Sequence, residues 1–240
     1  MKAKSKLASK GGYIVVMAAA LCLRVLDAQV AGGGSGDVHT VRCERFGTEA
    51  NAPILILLHG VSGPGSFYTQ QAEFFAGHGF RVVLPHYLEA SHGSAATDEH
   101  YGAWVAAVRD VMNQSNARTE GRPVATVIVG YSLGASIALA LGSQGDGPDA
   151  IAEFYGSLPD KYFRDLKGMP PLLILHGERD TNIPVSNAIQ LQKLCSVANL
   201  SCDSQIYPSE GHGFTSKNLG DADQRVLQFF SKVVSTVGTS

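Results

Sequence analysis

The stretch VATVIVGYSLGASIALAL, residues 124–141, joins an apolar run to an alanine-rich run through a short turn flanked by glycines. Residues 124–129 form a short, continuous run rich in valine, which is typical of a strand buried on both faces. Gly130 and Gly134 flank Ser132, and a strand, a tight turn and a helix in this order expose a serine hydroxyl above the sheet. The stretch therefore predicts an α/β fold and makes Ser132 the candidate nucleophile.

The rest of the chain repeats the same alternation. Further apolar runs stop at glycine, proline or His-Gly; they are residues 53–58, 81–84, 150–155 and 172–175. Helical stretches lie between them, at about 67–77, 97–114, 133–142, 186–197 and 221–235. This pattern predicts one doubly wound, mostly parallel sheet flanked by helices. In residues 38–46 apolar and polar side chains alternate instead, which predicts an antiparallel edge strand. The short interval from 156 to 171 leaves no room for a large cap.

The first thirty residues have the composition of a targeting segment. Four lysines precede an apolar run of eleven residues, 13–23, and a small residue, Ala28, follows. This arrangement predicts a signal peptide over residues 1–28, a Gly/Ser linker over 29–36 and one domain over 37–240, in a secreted or periplasmic protein. An uncleaved anchor is the alternative, although a spanning helix needs roughly 20 apolar residues.

The predicted signal peptide bears on the net charge of the mature chain and on the state of its cysteines. Cleavage after Ala28 would remove five basic residues and one acid and leave 14 basic and 20 acidic residues, a net charge of −6. This balance argues against nucleic acid or a stable membrane partner. In an oxidising compartment Cys195 and Cys202 can close a short loop; two buried thiols are the alternative, and Cys43 is expected to be a packed thiol.

A serine hydroxyl needs a base, and two loops that follow strands offer partners in the order Ser, acid, His. Asp180 follows the run 172–175, and His212 follows a short strand at 205–207. We expect His212 to accept the Ser132 proton and Asp180 to orient the imidazole. Glu178 is the alternative acid.

Acyl transfer also needs donors for the developing oxyanion. The backbone N–H of Leu133, at the start of the helix, is one candidate, and that of Val61, in the loop after the run 53–58, is the other. His59 and His176 end strands and are expected to support the site from beneath.

No cofactor or metal is predicted. His86, His92 and His100 lie near Asp98 and Glu99, but their spacing is irregular and indicates a solvated loop rather than a metal site.

Five segments together resemble the dienelactone hydrolase family: residues 59–61, 130–135, 154–156, 177–180 and 211–214. The resemblance runs from about residue 51 to residue 230. It implies an α/β-hydrolase fold and hydrolytic activity. Members that act on dienelactone carry Cys where this chain has Ser132 and Glu where it has Gly60, so the resemblance favours the general esterase branch.

The sequence thus predicts a serine hydrolase that cleaves small to medium carboxylic esters through an acyl-enzyme. Tyr131, Tyr155 and Phe214 are expected to line the substrate pocket, with packing in the core as the alternative for each. A peptidase or acyltransferase with the same residues, and a non-catalytic binding protein on this scaffold, are the other functions considered. The sequence makes no prediction about oligomeric state.

Overall fold

The computed structural model describes residues 25–27, 41–91, 95–117, 124–162, 166 and 168–237. Its strands are β1 Val25–Asp27, β2 Cys43–Phe46, β3 Ile54–Leu58, β4 Arg81–Pro85, β5 Thr126–Tyr131, β6 Ala150–Phe154, β7 Leu172–Gly177 and β8 Cys202–Tyr207. Its α-helices are α1 Ser66–Gly77, α2 Asp98–Ala117, α3 Leu133–Gly142, α4 Ser186–Ala198 and α5 Ser216–Val237. Short 3₁₀ helices cover Tyr87–Ala90 and Asp160–Tyr162.

All eight strands form one sheet in the order β1-β2-β4-β3-β5-β6-β7-β8. The six strands from β4 to β8 in this order are parallel to one another. Every residue of β3, β5, β6 and β7 is buried, because helices cover both faces. The predicted mostly parallel α/β sheet is confirmed.

The helices form two layers, one on each face of the sheet. Apolar residues of α1 and α5 pack on one face, and those of α2, α3 and α4 pack on the other. The chain runs from β3 to β4 on one side and then crosses back to β5 on the other side of β3. In such sheets the crevice at this reversal is where ligands bind, so the loops after β3 and β5 are the first place to look for a site.

The N-terminal side of the sheet differs from the sequence-based expectation in one respect. β2 pairs antiparallel with β4, as expected for the alternating segment, and β1 pairs with its other side. β2 is therefore not the edge strand while β1 is present, although β1 lies within the predicted signal peptide. An alternating segment can have a neighbour on both sides, and alternation by itself reports only the two faces of a strand. Apart from β1, the predicted signal peptide and linker lie outside the described residues and stay predictions.

Cys195, in α4, is bonded to Cys202, the first residue of β8. The bond closes the loop between that helix and the next strand, which is the pairing considered from the sequence. Cys43 is a buried free thiol in β2. None of the helices in the described part of the chain combines the length and hydropathy needed to cross a membrane.

Candidate active site

Ser132 lies on the turn between β5 and α3 in a backbone conformation that side chains rarely adopt, with φ 55° and ψ −119°. Two glycines make the turn possible. A Cβ at Gly130 would lie 2.6 Å from the Ala135 Cα, and one at Gly134 would lie 2.4 Å from the Leu58 carbonyl oxygen. The turn that carries Ser132 therefore packs directly against β3. The two glycines of the motif are needed because the backbones approach each other closely at both positions.

Asp180, His212 and Ser132 form a hydrogen-bonded chain at the carboxyl edge of the sheet. The Ser132 Oγ is 2.8 Å from the His212 Nε2, and the His212 Nδ1 is 2.8 Å from the Asp180 Oδ2. A carboxylate accepts only, so Nδ1 carries the proton and Nε2 accepts from the serine hydroxyl. The structure brings together the three residues that the sequence singled out.

The Asp180 side chain is fully buried, and backbone groups fix its orientation. Its Oδ1 accepts the N–H groups of Asn182 at 2.8 Å and Ile183 at 2.9 Å, which leaves Oδ2 for His212. Glu178, the alternative acid, is exposed. Geometry therefore favours Asp180 as the orienting acid.

Two further histidines lie beneath the site, as the sequence suggested. The His176 Nε2 is 2.8 Å from the Ile183 carbonyl oxygen, and burial lowers the pKa of His176. His59 stacks on Tyr87 at a ring distance of 4.3 Å, and burial lowers its pKa to about 4. Both rings are neutral near pH 7, so they add no charge beneath the candidate site.

The two candidate oxyanion donors border the same cavity as Ser132. Val61 follows β3 and Leu133 begins α3, and both line the cavity. Within the described part of the chain, neither the Val61 N–H nor the Leu133 N–H donates a hydrogen bond. The Gly60 N–H donates to the Tyr68 hydroxyl at 2.8 Å, and a Cβ at Gly60 would lie 3.0 Å from that oxygen. Tyr68 thus holds the loop that carries Val61 and fills the space beside Gly60.

The three aromatic residues predicted to bind substrate do not line this cavity, which is a correction. Tyr131 is fully buried, and its hydroxyl donates to the Gln71 Oε1 at 2.9 Å. Tyr155 packs on the His212 ring at 4.9 Å, and Phe214 packs on Tyr155 at 5.4 Å. Tyr131 and Tyr155 belong to the core on the α1 and α5 face of the sheet, and the partly buried Phe214 packs against it.

The cavity beside Ser132 opens towards α2, has a volume of about 370 Å³, and is lined mainly by residues that the sequence did not indicate. Besides Val61, Ser132 and Leu133, its lining residues are Ala96, Asp98, Tyr101, Ser136, Ser157, Pro159, Lys161 and Ile183. The sequence predicted a helix over residues 97–114 but gave no indication that this helix borders the elbow.

No group of three potential metal ligands occurs among the described residues, which do not include His92. His86 is 3.2 Å from a Glu44 carboxylate oxygen, and the His100 Nδ1 is 2.8 Å from the Ala95 carbonyl oxygen. These two histidines therefore have local partners.

Comparison with known proteins agrees with the fold. The sequence profile of the dienelactone hydrolase family matches residues 44–236. A Methylorubrum extorquens protein assigned as a carboxymethylenebutenolidase is 30% identical over 98 residues, which are 36% of this chain and 33% of that protein. The chain thus matches about one third of the length of that relative.

Solved structures share the fold at low identity. A Klebsiella pneumoniae subsp. pneumoniae protein assigned as a dienelactone hydrolase is 16% identical, with a TM-score of 0.72 over 87% of this chain and 99% of that one. A Mycobacterium tuberculosis puromycin-hydrolyzing peptidase is also 16% identical, with a TM-score of 0.72 over 89% of this chain and 40% of that one. A dienelactone hydrolase-like phosphotriesterase from metagenomic libraries is 14% identical, with a TM-score of 0.68 over 88% and 98%. The profile match spans most of the chain, and on that ground the chain belongs to the dienelactone hydrolase family of α/β hydrolases.

Proposed function

We propose that the protein is a serine esterase that hydrolyses small to medium carboxylic esters through an acyl-enzyme on Ser132. The observation that carries the proposal is the pair of 2.8 Å hydrogen bonds that link Ser132 to His212 and His212 to Asp180. A serine with an oriented base is activated for attack on a carbonyl carbon.

The proposed reaction assigns a group to each step. The Ser132 Oγ attacks the carbonyl carbon while the His212 Nε2 takes its proton, and the Asp180 carboxylate stabilises the imidazolium. The N–H groups of Val61 and Leu133 receive the developing oxyanion. His212 then returns the proton to the departing alcohol, and a water molecule, activated by the same histidine, releases the acid.

The cavity supports the size range. A volume of about 370 Å³ is at the small end of ligand sites, and apolar side chains such as Leu133, Pro159 and Ile183 form much of its wall. Short and medium acyl chains fit this space better than long lipid chains. We further propose that the protein is exported; the Cys195–Cys202 bond and the basic and apolar N-terminus support this.

Fluorophosphonate labelling tests the nucleophile. We compare wild type with Ser132→Ala and with Ser143→Ala, a control at the other end of the same helix. Wild type and the control should be labelled and Ser132→Ala should not; equal labelling of all three would sink the proposal. A p-nitrophenyl ester series should show activity falling beyond octanoate, and parallel assays with a p-nitroanilide and a phosphotriester would reveal a peptidase or a phosphotriesterase instead.

A further inference from the structure

The cavity floor next to Ser132 carries three hydroxyl groups that the proposed mechanism does not use. They belong to Tyr101 in α2, Ser136 in α3 and Ser157 after β6, and all three residues line the cavity. Ser136 is one helical turn from the nucleophile, and its N–H donates to the Ser132 carbonyl oxygen at 3.1 Å. The hydroxyl floor, as we call these three groups, is therefore fixed relative to the reacting atom.

Tyr101 has the most informative environment of the three. The residue is 7% exposed, and its hydroxyl lies close to that of Ser136. Among the described residues, however, the Tyr101 hydroxyl makes no hydrogen bond with both a suitable distance and a suitable angle, so Ser136 is a close neighbour but not an aligned partner. Burial raises the pKa of Tyr101, so its hydroxyl is neutral and can both donate and accept. Buried polar atoms nearly always have a partner. The hydroxyl itself is buried, but the Tyr101 side chain lines the cavity, so a small shift of the ring would let a ligand supply that partner.

The two serines extend the same polar surface. The Ser157 N–H donates to the Ser136 Oγ at 3.1 Å, and the two Oγ atoms are 3.5 Å apart. Each serine hydroxyl therefore keeps hydrogen-bonding capacity for a ligand. Polar groups convergent in an otherwise apolar pocket are the feature that gives a small-molecule site its specificity.

The charges at the cavity argue for a neutral ligand group. Lys161 and Asp98 both line the cavity, and the Lys161 Nζ is 3.2 Å from the Asp98 Oδ1. The two charges offset each other, so no net charge is directed at a carboxylate or an ammonium group.

We propose that the hydroxyl floor binds a neutral oxygen of the substrate outside the scissile ester group, so that hydroxyl-, keto- or ether-bearing esters are preferred over their all-carbon analogues. This inference rests on the proposed esterase function and adds the substrate class. A site built to hydrogen-bond a substrate oxygen discriminates against the analogue that lacks it, because the buried hydroxyls are then left without a partner.

Two matched substrate pairs test it. On the acyl side, p-nitrophenyl 3-hydroxybutyrate is compared with p-nitrophenyl 3-methylbutyrate, which has nearly the same shape. On the alcohol side, 2-hydroxyethyl butyrate is compared with propyl butyrate in a pH-stat assay. We expect kcat/KM to be about three- to tenfold higher for the oxygen-bearing ester in one pair, as for one neutral hydrogen bond, and the pair that responds identifies the side. Equal values in both pairs would overturn the proposal.

Variants then attribute the preference to the hydroxyl floor. Tyr101→Phe should bring the ratio of the two kcat/KM values close to one, and Ser136→Ala should lower it; if Tyr101→Phe does not fold, Ser136→Ala decides. Tyr162→Phe is the control, since Tyr162 packs near Tyr101 at a ring distance of 5.9 Å but does not line the cavity. A preference that survives both floor variants contradicts the proposal. Fluorophosphonate labelling separates the two failures: labelled protein without a preference overturns only this inference, and unlabelled protein overturns the esterase function as well.

Discussion

A glutamate in the middle of the sheet leads to the sharpest prediction. Glu153 belongs to β6, is fully buried, and lies beside Gly130 of β5 and Ile174 of β7. Its Oε2 accepts the Gly156 N–H at 2.8 Å, whereas its Oε1 has no hydrogen-bond partner among the described residues. Burial raises the pKa of Glu153 from an ordinary 4.5 to about 8. The carboxyl group is therefore protonated in the folded protein at neutral pH.

The sign of the pH effect follows from where the proton is bound. Between pH 4.5 and about 8 the folded protein keeps the proton on Glu153 and the unfolded chain releases it. The contribution of this proton to the free energy of unfolding is therefore fully present below pH 4.5 and is lost as the pH rises towards 8. At 1.36 kcal/mol per pH unit the loss amounts to at most about 5 kcal/mol. That is a large share of the roughly 5–15 kcal/mol by which proteins are stable.

Glu153→Gln removes the titration and keeps an oxygen that can accept the Gly156 N–H. We expect the variant to gain on wild type by at most about 4 kcal/mol in free energy of unfolding as the pH rises from 5 to 9, because only the interval from 5 to about 8 contributes. Urea denaturation followed by circular dichroism at each pH measures this difference, and Glu49→Gln, at an exposed position, is the control. A difference between Glu153→Gln and wild type that changes by less than about 1 kcal/mol over this range would refute the reasoning.

Three further predictions concern groups around the candidate site. Tyr68→Phe leaves the Gly60 N–H without its partner, and we expect it to lower kcat for p-nitrophenyl acetate about tenfold with little change in Tm. An unchanged kcat would contradict the role of Tyr68 in holding the loop. Opening the Cys195–Cys202 bond with dithiothreitol should lower the free energy of unfolding by about 2 kcal/mol, which calorimetry with and without reductant measures as a lower Tm. Burial raises the pKa of Asp223 to about 6, so the contribution of this carboxyl group to the free energy of unfolding falls as the pH rises from 3.8 to 6. Compared with wild type in thermal melts, Asp223→Asn should therefore be more stable at pH 7 than at pH 4.

The three residues of the hydrogen-bonded chain were predictable because each of them follows a strand that the sequence indicates, two of them mostly apolar and the third, β8, mostly polar. Ser132, Asp180 and His212 come after β5, β7 and β8, and parallel strands bring their carboxyl ends to one edge of the sheet. The elbow was recognisable because only glycine fits at positions 130 and 134, where a Cβ would collide with backbone atoms.

The walls of the cavity were not predictable in the same way. Tyr131 shares a strand face with Val127 and Val129, and all three pack in the α1 and α5 layer, away from the cavity. β5 is buried on both sides, so its sequence does not reveal which face adjoins the substrate. Tyr101 is on α2, and which of its faces borders Ser132 depends on how α2 packs beside α3. Glu153 did leave a visible signal in the sequence, since it is an acid within an apolar run.

The position of His212 in the chain has a consequence for when activity begins. β8 is the last strand in chain order, and His212 follows it, whereas Ser132 is 80 residues earlier. A chain still on the ribosome, or held unfolded for translocation, therefore carries the serine without its base. The hydrolase we propose would thus gain activity towards esters only once β8 completes the sheet.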